Sequence, residues 1–160
     1  MQGALDVLSG TPQTHVFKDA SVLYDGKASG PLIGGCLSVF QTLIGTPYMP
    51  EFHDTILFLE DSGDHISRFD RMLTHLKNAG VLNGIAGLML GEFRDLQDGV
   101  RPFGFSIEDS VKDLMEGLDI PVMLGCAFGH GAALPTFPIG APATMNTRKY
   151  SLSYETLKST

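Results

Sequence analysis

The sequence predicts an α/β fold, a small parallel sheet with crossover helices plus an added antiparallel β layer. Three observations carry this. Residues 56–59, Ile-Leu-Phe-Leu, form an apolar run of strand length that ends in Glu60-Asp61, as expected of a strand buried on both faces. From 55 to 125 such runs alternate with stretches of helical spacing, and that order favours parallel pairing through right-handed crossovers. The C-terminal flank instead holds Pro135, Pro138 and Pro142, then alternates through Tyr150, Leu152 and Tyr154, as an antiparallel hairpin does.

Taken in order, residues 14–33 mix β-branched residues with Gly and Asp and read as short strands and turns. Gly34-Gly35 then precedes Leu37, Phe40 and Ile44, which share one helical face closed by Gly45-Thr46-Pro47. Thr55–Leu59 is the first buried strand. Ile66, Phe69, Leu73 and Leu76 recur at helical spacing, and Gly80 is a natural stop. Ile85–Leu90 is the second apolar strand. Ser106 and Asp109 resemble a capping box for a helix whose apolar stripe is Ile107, Val111, Leu114 and Leu118. Ile120–Leu124 is a third, short strand with Pro121 near its start, where proline is tolerated.

A chain of 160 residues is one domain by length and buries about 70% of the surface it exposes when unfolded. Hydrophobic residues make up 43% and charged residues 18%, which excludes disorder. The formal charge of −7 comes with no Lys/Arg cluster, so nucleic acid and anionic membrane surfaces are not expected partners. No stretch approaches the roughly 18 apolar residues of a membrane span. Met1 to Gly10 lack a basic segment followed by an apolar one, so no signal peptide is expected and a cytoplasmic location is the default. Cys36 and Cys126 are too few for a disulfide framework and read as buried free thiols.

In open α/β sheets ligands bind beyond the carboxyl ends of the strands, which is where Glu60 falls. His130 follows the third strand in Gly125-Cys-Ala-Phe-Gly129-His130-Gly131, and its flanking glycines permit close backbone approach. With parallel strands, Glu60 and His130 leave the sheet at the same edge. A carboxylate holding an imidazole is the orienting half of a nucleophile–His–acid triad. The competing reading of His130 is a surface-loop histidine without a role. Glu92, after the second strand, competes with Glu60, and pattern alone does not separate them. Asp61, Asp64 and Asp70 read as favourable charge at the start of the helix from 65, or as partners of Arg68 and Arg71. Cys126 and His130 lack a second pair at ligand spacing, so no metal is expected. Cys36 with His130 as a thiol and base is a further alternative, but nothing local activates Cys36. No Gly-x-Ser-x-Gly elbow is present, so a triad needs its serine from elsewhere.

The stretches Gly34-Gly-Cys-Leu37, Ile44-Gly-Thr-Pro-Tyr48, Ile56-Leu-Phe-Leu-Glu-Asp61, Asp70-Arg-Met-Leu73, Leu76 to Gly80, Leu90-Gly91, Phe128-Gly-His130 and Phe137-Pro-Ile-Gly140 follow one another from about residue 28 to 150. Together they resemble the C-terminal domain of the serine LD-carboxypeptidases, the muramoyltetrapeptide carboxypeptidases and the related microcin C self-immunity peptidases. The resemblance implies a swivelling β/β/α domain. It implies that Glu60 and His130 are catalytic, Glu60 orienting His130, and it removes Glu92, which matches no family acid. It implies that the whole chain is the C-terminal half of a two-domain peptidase, the N-terminal domain with its nucleophilic serine being absent here. The substrate would be the L,D amide before a terminal D-amino acid of murein tetrapeptides, cleaved during cytoplasmic peptidoglycan recycling. No cofactor or metal would be required, the isolated chain would be inactive, and a homodimer is expected. Substrate-contacting residues are not specified, with Gly35, Cys36 and Gly129 as cleft candidates. Two departures stand out: Cys36 replaces the usual Asn after the paired glycines, and Asp64 replaces the commoner Glu. The alternative from a different class is a non-catalytic peptide-binding or dimerisation module, in which Glu60 and His130 would have no reason to meet.

Overall fold

A computed structural model of the chain describes residues 2–131 and 134–155. Among these described residues, eight strands lie in the order β1-β8-β7-β3-β4-β5-β6-β2. They are β1 (Gln13–Val16), β2 (Ser21–Tyr24), β3 (Lys27–Cys36), β4 (Thr55–Ser62), β5 (Ile85–Arg94), β6 (Val122–Leu124), β7 (Pro142–Asn146) and β8 (Ser151–Tyr154). The helices are α1 (Gln2–Leu8), α2 (Leu37–Phe40), α3 (Ile66–Asn78) and α4 (Ile107–Met115).

Strands β3, β4, β5 and β6 pair in parallel, and β2 closes the far edge antiparallel to β6. On the other side β3, β7, β8 and β1 are antiparallel. β3 belongs to both parts. Lys27 to Pro31 face β7, whereas Leu32 to Cys36 face β4. The change of partner falls where Pro31 stands opposite Pro142. Neither residue has an N–H to give, so a regular ladder loses donors there.

β4 shows why a continuous apolar run was needed. Leu57 and Leu59 pack with Phe69, Leu73 and Leu76 of α3 and with Val111, Leu114 and Met115 of α4. Ile56 and Phe58 point the opposite way, into a second core with Met89, Met123, Met145, Leu152 and Tyr154. Two cores on the two faces of one parallel sheet, one under helices and one under an antiparallel layer, make the β/β/α architecture. Each leucine fully buried in this way contributes about 1.5–3 kcal/mol of transfer free energy.

The sequence-based elements hold with adjusted ends. α3 stops at Asn78, with Gly80 left-handed at φ 79°. α4 begins with a complete capping box in which Ser106 accepts from the Asp109 N–H and the Asp109 carboxylate accepts from Ser106. It ends at Met115, short of Leu118. The helical face expected through Ile44 is shorter in the structure. α2 has one turn and passes into a 3-10 turn over Gln41–Leu43. β5 runs four residues beyond Leu90, to Arg94. No helix among the described residues is long and apolar enough to cross a membrane.

Candidate active site

The carboxyl ends of β3 and β4 and the loop after β6 converge on one cleft. β4 delivers Glu60 as the sixth residue of a buried strand, and its residue is only 8% exposed. Burying a carboxylate is costly unless donors surround it. Glu60 Oε2 accepts two, from the His130 backbone N–H at 3.2 Å and from the imidazole, whose Nδ1 lies at 2.7 Å. The loop can come this close because residue 129 is glycine. Gly129 has φ 110°, and a β-carbon there would press into the Glu60 side chain.

These contacts fix the tautomer. An ionised carboxylate only accepts, so Nδ1 carries the proton and the neutral ring has its lone pair on Nε2. Nε2 has no hydrogen-bond partner among the described residues, and the His130 side chain is 54% exposed. The bond from Glu60, its negative charge and, more weakly, the charge of Asp61 hold the imidazole above its ordinary pKa of 6.5, against a small opposing effect of desolvation. This arrangement can accept a proton at Nε2 and stabilise the resulting imidazolium. Among the described residues, no serine bonds to Nε2.

The cleft has a volume of about 620 Å³. Glu60 and His130 form its polar part, and Phe58, Phe128, Phe137 and Leu134 form an apolar wall. The three phenylalanine rings meet edge to face at 5.1–5.9 Å. Of the three cleft candidates, Gly35 and Gly129 line it. Cys36 does not: its Sγ lies 3.3 Å from Ser38 Oγ and 3.5 Å from Asp61 Oδ1.

Asp61 corrects an expectation. Its carboxylate is directed to the start of α2, not α3, accepting from Ser38 N–H at 2.8 Å and from Ser38 Oγ at 3.3 Å. Asp64 does pair with Arg68, at 3.3 Å. Cys126 is fully buried in the second core, which pushes its thiol up to about 12, so it offers neither a metal ligand nor a nucleophile. Two features had no readable signal in the sequence. One is the phenylalanine wall, whose rings come from three separate segments. The other is the approach of Glu92 to Gly131.

Comparison with known proteins gives this geometry its context. A family model described as the LD-carboxypeptidase C-terminal domain matches residues 29–145, nearly three quarters of the chain. The chain belongs to that family. A Bacillus subtilis protein named "probable murein peptide carboxypeptidase" is 35% identical over 125 residues, covering 78% of this chain and 39% of that protein. The muramoyltetrapeptide carboxypeptidase of Oxalobacter formigenes superposes with a TM-score of 0.81 at 28% identity, over 96% of this chain and 53% of that one. The microcin C7 self-immunity protein MccF, solved in complex with glutamyl sulfamoyl guanosine, gives a TM-score of 0.77 at 25% identity, over 89% of this chain and 42% of that one. The chain thus spans about two-fifths of the length of the curated relatives it matches. The LD-carboxypeptidase domain built here is the β/β/α unit, and its cleft opens at the carboxyl edge of the parallel sheet.

Proposed function

We propose that this domain supplies the acid and the base of a Ser–His–Glu triad, with the nucleophilic serine coming from a separate N-terminal domain. The observation that carries the reading is the 2.7 Å bond from Nδ1 of His130 to Glu60, with Nε2 left unpaired at an open cleft. Glu60 orients the ring and stabilises its protonated form. His130 takes the serine proton through Nε2 during attack on the amide and returns it to the departing amine. An acyl-enzyme forms on the serine and water then hydrolyses it. The substrate class is a murein tetrapeptide or a related peptide, cleaved at the L,D amide before its terminal D-amino acid, in the cytoplasm. The bonded pair disfavours a purely non-catalytic module, which has no use for an imidazole held in one tautomer.

By itself the chain hydrolyses nothing, because an acid and a base without a nucleophile provide no acyl-enzyme route. The test is release of D-alanine from a murein tetrapeptide by the chain alone and by the chain joined to an N-terminal nucleophile domain. Release only by the joined form is expected. Release by the isolated chain, or full activity of a joined His130→Ala variant, defeats the reading.

A further inference from the structure

β4 and β5 do not run in step to their ends. Between the pairs Leu59–Leu90 and Asp61–Phe93, β4 advances two residues and β5 advances three. β5 therefore bulges over Gly91-Glu92, directly beside Glu60. The bulged segment is stitched to the loop that carries His130. Cys126 N–H donates to the Leu90 carbonyl at 3.0 Å, and Glu92 N–H donates to the Phe128 carbonyl at 3.1 Å. Gly91 lies against Phe128 so closely that a β-carbon would come within 2.6 Å of its carbonyl oxygen and ring.

The Glu92 side chain extends the contact to the far side of His130. The space where a β-carbon of Gly131 would stand is filled by Glu92 Oε2, with Arg94 Nε 3.4 Å from the same point. Arg94 Nε donates to that oxygen at 2.7 Å and so sets where it lies. The two glycines flanking His130 thus each rest on a carboxylate, Gly129 on Glu60 and Gly131 on Glu92. Glu60 touches the imidazole; Glu92 touches only the backbone beside it. Glu92 meets the loop at Gly131 rather than at the ring, so the action argued for it is one of placement.

We propose that Glu92, held by Arg94, is a positioning residue that fixes the loop carrying His130, so that the ring meets Glu60. As a contribution to the reaction this rests on the triad reading above; as a statement about the loop it stands alone. A bare surface ion pair contributes little to stability. The contact to Gly131 makes this pair different.

The experiment titrates the His130 imidazole by NMR in the isolated 160-residue chain, in the unsubstituted form and in Glu92→Gln, Glu92→Ala and Arg94→Gln. Glutamine keeps the shape and the oxygen that accepts from Arg94, so the midpoint stays close to that of the unsubstituted chain. Alanine removes the support, and the midpoint falls by about half a pH unit or more towards 6.5 as the bond to Glu60 loosens. Both changes delete the same charge, so an equal fall in the two overturns the proposal, as does no fall in Glu92→Ala. Arg94→Gln decides the matter if Glu92→Ala does not fold, since its side chain is half exposed. Loss of a positive charge alone raises an imidazole pKa, so a fall in Arg94→Gln reports lost placement, and the absence of a fall overturns the proposal. An unmoved midpoint leaves the carboxypeptidase reading intact, and a joined enzyme without D-alanine release leaves the titration valid.

Discussion

The carboxyl ends of β4 and β5 lie side by side, and each offers a glutamate to the loop after β6. β4 delivers Glu60 from within its buried stretch, and its carboxylate takes both the backbone N–H and the ring of His130. β5 bulges, and Glu92 emerges half-buried, paired with Arg94 and pressed against Gly131. The difference shows that position at a strand end does not by itself assign a role. The buried carboxylate needs donors, and the imidazole satisfies it while gaining orientation. The second carboxylate has a cation of its own and is left to shape the backbone.

The largest expected effect separates the two glutamates. In the chain joined to the proposed N-terminal nucleophile domain, Glu60→Gln keeps the shape but loses the charge and permits the wrong tautomer; a loss of about 10⁴-fold in kcat is expected, the scale of such a change in a comparable triad. Glu92→Gln, which keeps the oxygen that accepts from Arg94 and rests against Gly131, should stay within about twofold. Steady-state kinetics on the two variants, with circular dichroism to confirm folding, decides it. Equal losses would erase the distinction between the carboxylates.

Next comes the backbone on the Glu60 side. Gly129→Ala places a methyl group against Glu60 at φ 110°, which displaces the loop. A misplacement near 1 Å costs about 10²-fold in rate. The same variant should lower the His130 pKa by NMR. A normal rate and a normal titration together would show that the loop tolerates what the contact distances forbid.

The pH dependence sharpens the comparison further. In the proposed triad His130 can act as a base only when neutral, and Glu60 holds its pKa above 6.5. Activity of the joined enzyme should therefore rise with pH through a midpoint above 6.5, and Glu60→Gln should move that midpoint down. The linkage to stability has the opposite sense. A folded pKa above the unfolded value means that protonation favours the folded chain. This contribution is complete below about 6.5 and is lost as pH rises through the folded pKa. The gap in Tm between the unsubstituted chain and His130→Gln should accordingly be wider at about pH 5.5 than at about pH 8.5. A gap that widens with pH would refute the sign.

How far the sequence leads depends on whether a feature is local. β4, α3 with Gly80, and the Ser106–Asp109 cap are written in contiguous periodicity and end chemistry, so they can be read directly. Glu60 and His130 can be read because each follows a strand and the histidine is framed by glycines. β3 is harder. Pro31 and three glycines argue against a strand, yet Lys27–Cys36 joins both layers, its weak propensity overridden by partners on either side. The extension of β5 to Arg94 is hidden for a related reason. A bulge breaks the two-residue period, so Glu92 and Arg94 resemble the start of a loop. Spacing along the chain points Asp61 to the nearer helix; the parallel register of β4 with β3 brings it to Ser38 instead.

The smallest expected effect concerns the two thiols, and it completes the contrast between groups that serve the site and groups that serve the fold. Cys36 follows the cleft glycine, but its Sγ points into the cluster of Ser38 and Asp61 at contacts of 3.3 and 3.5 Å. Asp61 keeps its stronger bonds to Ser38 N–H and Ser62 N–H at 2.8 and 2.9 Å without it. Cys36→Ala should therefore cost under about 1 kcal/mol in denaturant unfolding, the scale of one weak hydrogen bond. It should leave kcat of the joined enzyme within about twofold, and a large loss would revive a thiol as nucleophile. Cys126 behaves oppositely towards reagents. Burial pushes its thiol up to about 12, so in the folded chain a maleimide should label Cys36 and spare Cys126 until denaturant is added. Rapid labelling of both would mean that the Cys126–Phe128 segment opens readily. The loop that presents His130 would then be held less firmly than its contacts with β5 require.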